Sequence, residues 1–103
     1  MNPLVSIVTP SLNQGPFIEQ TIRSVLGQNY APIEYSVYDA GSTDGTHATL
    51  DRYRERVRVI IGPDGGQADA INRGLRAACG DIVAWISSWY AAAAAAPKSR
   101  RAA

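Results

Sequence analysis

The sequence predicts an α/β protein, a Rossmann-like three-layer αβα sandwich built on a mainly parallel four-stranded sheet. Three observations carry this. Short β-branched runs alternate with segments of helical period in the order βαβαβαβ. The strand-like runs are apolar almost throughout, as in strands buried on both faces of a parallel sheet. The intervening segments are long enough for right-handed crossovers, which place helices on the sheet faces. With 103 residues, 46% of them hydrophobic, the chain has room for one modest core.

The first strand is expected over Leu4 to Thr9, Leu-Val-Ser-Ile-Val-Thr. Pro10 to Gly15 is loop chemistry, and Pro16 suits the first turn of a helix, where its missing N–H is not needed. Phe17, Ile18, Thr21, Ile22, Val25 and Leu26 then recur at helical spacing, with Glu19, Gln20 and Arg23 opposite, so the helix should run to about Gln28. Ile33 to Asp39 is the second strand, closed by the turn cluster Gly41-Ser42-Thr43-Asp44-Gly45. Thr43 or Asp44 is placed to cap a second helix running to about Glu55, with Leu50 and Tyr53 inward. Val57 to Ile61 is the third strand, closed by Gly62-Pro63-Asp64-Gly65-Gly66. The third helix presents Ala68, Ile71, Leu75 and Ala78 on one stripe, with Gly80 as its stop. Asp81 to Ile86 is the fourth strand.

Composition changes after Ser88, dividing the chain into a domain at 1–88 and an alanine-rich basic tail at 89–103. A frayed terminus, a shifted reading frame or positions written as alanine would each explain the tail, and no function is assigned to it. A formal net charge of +1 offers no basic face for nucleic acid. No apolar run approaches the roughly 18–20 residues that span a bilayer. The single cysteine excludes an internal disulfide and suits a reducing compartment. Together with an N-terminus that lacks signal-peptide features, this leads to an expectation of a cytoplasmic protein.

In open α/β sheets, ligands bind beyond the carboxyl ends of the strands. Here that rim gathers Asp39, Asp44, Asp64 and Asp69 with small residues and backbone amides at helix starts. Amides suit phosphate, while carboxylates suit ribose hydroxyls, a base N–H or a metal, which together suggest a nucleotide site. Simpler readings stand beside these. Asp39 could cap the Gly41–Gly45 turn, Asp44 a helix, and Asp64 its own turn. Asp69 and Arg73, four apart, could form a surface pair. His47, on an exposed helix, is given no catalytic role; Cys79 and Trp85 are read as buried.

Three segments in order, Val5-Ser6-Ile7-Val8-Thr9-Pro10-Ser11-Leu12-Asn13, Asp39-Ala40-Gly41-Ser42-Thr43-Asp44-Gly45 and Gly66-Gln67-Ala68-Asp69-Ala70-Ile71-Asn72-Arg73-Gly74, resemble the donor-binding half of family 2 glycosyltransferases. The resemblance covers Pro3 to Ser88 and implies a glycosyltransferase A fold that binds a nucleotide-diphosphate sugar of UDP or dTDP type. It implies Thr9 and Pro10 against the base, Asp39 reading base or ribose, and Asp69 and Arg73 toward diphosphate or sugar, with Asp64 on the same rim. Ala40 stands where the family commonly has Asp or Gly.

The resemblance breaks at the fourth strand. Family members there run into paired acids that hold Mn or Mg on the diphosphate. This chain reads Ser87-Ser88-Trp89-Tyr90, with no Asp or Glu after Asp81. The expectation is therefore a donor-binding module, truncated before or at the metal motif and incomplete for transfer, with no cofactor evident in the chain itself. The alternative is a non-catalytic interaction module that pairs, with itself or another chain, through an exposed sheet edge or face.

Overall fold

The structure is a computed structural model and describes residues 2–87. Four parallel strands, β1 (Val5–Ser11), β2 (Ile33–Asp39), β3 (Arg58–Ile61) and β4 (Ile82–Trp85), form one sheet in the order β3-β2-β1-β4. The helices α1 (Gly15–Leu26), α2 (Thr46–Arg52) and α3 (Gln67–Ala77) connect them. The expected three-layer α/β architecture is the one observed.

Strand alternation sorts the core into two layers. Ile7, Tyr35 and Val37 face α1, whose stripe Ile18, Ile22 and Val25 is fully enclosed, and Leu50 of α2 and Val57 complete this larger cluster. On the opposite face Val8 and Tyr38 meet Ala70 of α3, with Ile60 and Leu75 beside them. Gly74 sets how closely α3 approaches the sheet, because a Cβ there would lie 2.5 Å from Val8 Cγ1. Glu19 of α1 holds the two helices on its face together: Arg52 Nη2 lies 2.6 Å from its Oε1, and the Tyr53 hydroxyl donates to its Oε2 at 2.6 Å.

Several boundaries differ from the sequence reading. β1 continues through Pro10 to Ser11, two residues past the expected end. Ser11 turns its carbonyl to β2, accepting from Ala40 N–H, whereas Val8 turns its carbonyl to Ile86. Pro10, in phase with Val8, thus aims its missing N–H at the side where β4 has already ended, so no ladder bond is lost. α2 stops at Arg52 rather than Glu55, since the amides of Tyr53 and Val57 bond to Leu50 and Tyr53 carbonyls in turns that lead into β3.

α3 ends at Ala77, and Ala78 is already extended (φ −71°, ψ 142°), so Gly80 is not its stop. Gly80 lies in the connection to β4 against β1: its N–H donates to Ser6 Oγ at 2.8 Å, and a Cβ would sit 2.5 Å from the same oxygen. The buried stripe of α3 is Ala70 and Gly74, and Ala68 is exposed. Cys79 is exposed because the extended connector carries it off the helix. Trp85 is 38% exposed and Ile82 47%, because among the described residues β4 is an edge strand paired only with β1. The expected tail, Ser88 and the Trp89-Tyr90 pair lie outside the described residues.

Candidate functional site

The carboxyl ends of β1 and β2 deliver Ser11 and Asp39 side by side, in register. Asp39 is the most heavily bonded group of the rim. Its Oδ1 accepts from Ser11 Oγ at 2.7 Å and from Ser42 Oγ at 2.6 Å. Its Oδ2 accepts from Gly41 N–H at 3.0 Å, Ser42 N–H at 2.8 Å and His47 Nε2 at 2.9 Å. An ionised carboxylate only accepts, so His47 must carry its proton on Nε2 for this contact. Burial alone would raise the Asp39 pKa, but the Ser42 hydroxyl and amide, the Ser11 hydroxyl and His47 outweigh it and hold the carboxyl below its ordinary value.

The loops around this carboxylate are stitched together. Asn13, at a left-handed φ of 53°, donates its N–H to Ser42 Oγ and accepts from Thr43 N–H on its Oδ1, both at 2.8 Å. Asp44 bonds the Thr46 N–H and hydroxyl through Oδ1 and the Gly15 N–H through Oδ2. It therefore ties the start of α2 to the start of α1, and the Thr46 hydroxyl is the chief cause of its lowered pKa. The N-cap position of α2 is Gly45, without a side-chain cap bond, rather than the expected Thr43 or Asp44; Asp44 holds the Thr46 amide from one residue earlier.

The other residues singled out from the sequence do not converge on one point. Thr9 is fully buried beneath the rim and shares a 2.8 Å hydrogen bond with the Tyr35 hydroxyl, whose pKa burial pushes well up. Pro10 is buried in β1 opposite Tyr38. Asp64 accepts from Gly66 N–H at 2.9 Å, and Asp69 from Gly65 N–H at 3.0 Å, so both organise the loop before α3. Arg73 does not pair with Asp69 in a salt bridge; its guanidinium lies over the Tyr38 ring, 5.8 Å from the centroid. Sequence reasoning missed His47, because nothing in a lone histidine after a turn signals that it reaches back eight residues.

Divalent-metal binding can be tested on these side chains. Among the described residues no group of three His, Cys, Asp or Glu could hold an ion. Asp39, Asp64 and Asp69 are engaged with their own loops, so the residues described do not fit a resident metal. Among the same residues no helix is long and apolar enough to cross a membrane.

A parallel α/β sheet with a carboxylate and stitched loops at its strand carboxyl ends belongs to the open-sheet class whose ligands bind along that rim. The match to Glycosyl transferase family 2 over residues 6–88 places the chain in that family. It is similar to the Bacillus subtilis glycosyltransferase TuaG, named for teichuronic acid biosynthesis, with 41% identity over 90 residues covering 84% of this chain and 36% of that protein. The fold matches a Pyrobaculum calidifontis mannosyltransferase in complex with GDP-Man and Mn2+, with TM-score 0.76, 30% identity, and coverage of 85% of this chain and 28% of that one. It also matches Mycobacterium tuberculosis glucosyl-3-phosphoglycerate synthase, in complex with Mn2+, UDP and glucosyl-3-phosphoglycerate, with TM-score 0.69, 32% identity, and coverage of 84% and 34%. The fold is thus the N-terminal portion of a glycosyltransferase A fold. The chain spans 36% of the length of TuaG and as little as 13% of that of other curated relatives it matches.

Proposed function

We propose that this chain is the donor-binding portion of a nucleotide-sugar-dependent glycosyltransferase, taking a UDP- or dTDP-type sugar at the rim around Asp39. One observation carries the reading: in a chain of this family, an ionised, enclosed carboxylate stands at the carboxyl end of β2, organised by loops from two neighbouring strands. Asp39 reads an N–H of the base or a ribose hydroxyl, Thr9 and Pro10 form the floor beneath it, and Asp64, Asp69 and Arg73 border the diphosphate and sugar. Divalent metal ions accompany nucleotides in the two solved relatives above. No acid follows Asp81 here, so the reading assigns donor binding to these residues and leaves sugar transfer to groups they do not carry.

Calorimetric titration with UDP and dTDP, with and without manganese, tests it. Saturable binding that manganese improves less than about tenfold, a shift below about 1.4 kcal/mol, is the expected result. Absence of any nucleotide binding would overturn the reading. It would leave the interaction-module alternative, which rests on the exposed Ile82 and Trp85 of edge strand β4. Concentration-dependent self-association in sedimentation would then be its positive sign.

A further inference from the structure

Asp39 accepts five hydrogen bonds, three of them on Oδ2. A carboxylate oxygen has about two lone-pair positions, so Oδ2 already holds one donor more than it can bond well. No room remains for a ligand donor unless one of the present donors leaves. The Gly41 and Ser42 N–H groups are fixed in the turn backbone, and the Ser11 and Ser42 hydroxyls belong to residues that are buried. His47 alone of the five reaches the carboxylate from a half-exposed side chain, 40% accessible, against none for Asp39.

We propose that His47 is a placeholder, its Nε2–H occupying the position on Asp39 Oδ2 that an N–H of a bound nucleobase takes, so that the site opens by exchanging one donor for another. The proposal rests on the reading of Asp39 as the base-reading group. The exchange keeps the buried carboxylate satisfied in both states, which avoids the penalty of leaving it unpaired. It also leaves base choice to Asp39, with His47 as the donor to be displaced. Uracil, thymine and guanine offer a ring N–H that can replace the imidazole donor. Cytosine and adenine offer a bare ring nitrogen there, an acceptor that the carboxylate repels. Removing His47 leaves Asp39 with four donors, so the loop retains its internal bonds.

The test is calorimetric titration of the full chain with UDP and with CDP, for wild type, His47→Ala and His47→Gln. Fold integrity is checked by circular dichroism. His47→Ala should bind UDP about three- to tenfold more tightly, the equivalent of one competing hydrogen bond, with CDP binding unchanged. His47→Gln, whose amide can donate in place of the imidazole, should return UDP affinity toward wild type. In the wild type, UDP should shift the 15N resonance of His47 Nε2 toward that of a solvent-exposed imidazole. Unchanged or weaker UDP binding by His47→Ala, or equal changes for UDP and CDP, would overturn the placeholder while leaving the donor-binding reading in place. Failure of wild type and both variants to bind UDP would remove the base-reading role of Asp39, and the placeholder with it.

Discussion

Asp39 organises its loop as well as being the proposed base-reading group, and this changes how it must be probed. Asp39→Ala would leave two hydroxyls and two backbone amides without their acceptor, and is expected to destabilise the fold by about 2–4 kcal/mol in urea unfolding. A binding loss in that variant would not separate ligand contact from collapse of the turn. Asp39→Asn keeps the volume and one acceptor, and is the better ligand probe. The lowered pKa of Asp39 also sets a pH dependence. Its folded pKa lies below the ordinary 3.8, so its stabilisation is fully present above that value and is lost as pH falls through the lowered folded one. The stability gap between wild type and Asp39→Asn should therefore be wide at pH 7 and narrow toward pH 3. A gap independent of pH would mean that the carboxylate's charge contributes nothing. The turn-capping role of Asp39 was legible in the sequence from its place at a strand end before a glycine-rich turn. Its partners were not, because Ser11 and His47 come from separate elements that only the folded sheet brings to it.

At the scale of the elements, β2 was legible to the residue, since Ile-Glu-Tyr-Ser-Val-Tyr-Asp is bounded by Pro32 on one side and the turn cluster on the other. α3 was harder. Its amphipathic pattern suggested a stripe through Ala68 and Ala78, yet the sheet selects Ala70 and Gly74, the positions small enough to seat the helix against Val8 and Tyr38. A helical period identifies a face, but close approach chooses the rows that meet. Gly74→Ala should therefore destabilise by about 1–3 kcal/mol through overpacking, despite the better helix propensity of alanine. Adding Val8→Ala, which removes the methyls 2.5 and 2.8 Å from the new Cβ, should make the double variant more stable than the sum of the singles predicts by about 1 kcal/mol. Strict additivity in denaturant titrations would show that α3 relaxes away from β1 at no cost.

For the whole molecule, the βαβαβαβ order and parallel sheet were read correctly because local patterning and crossover rules point the same way. The exposure of Trp85 was not, because an apolar strand sequence does not say whether it will lie at the centre of a sheet or at its edge. The entry to β4 is tied to the entry to β1: Leu4 N–H donates to Asp81 Oδ2, and the Asp81 N–H donates back to the Leu4 carbonyl, across 77 residues. Asp81→Ala should loosen this clasp, with faster amide exchange at Leu4 and Ile82 and little change at Val37 in the centre of β2. Uniform exchange across the sheet would show that β4 does not open separately.

The same strand order imposes a schedule on the chain during its synthesis. Among the described strands β1 is made before both of its neighbours, β2 and β4, so its second edge waits until β4 follows. At about 5–20 residues per second, that wait is roughly 4–15 seconds. Throughout it, a row of β1 backbone groups is open to pairing with other nascent chains. Slowing translation between Gly62 and Asp81 should therefore lower the soluble yield, and an unchanged yield would show that the open edge of β1 captures no other chain.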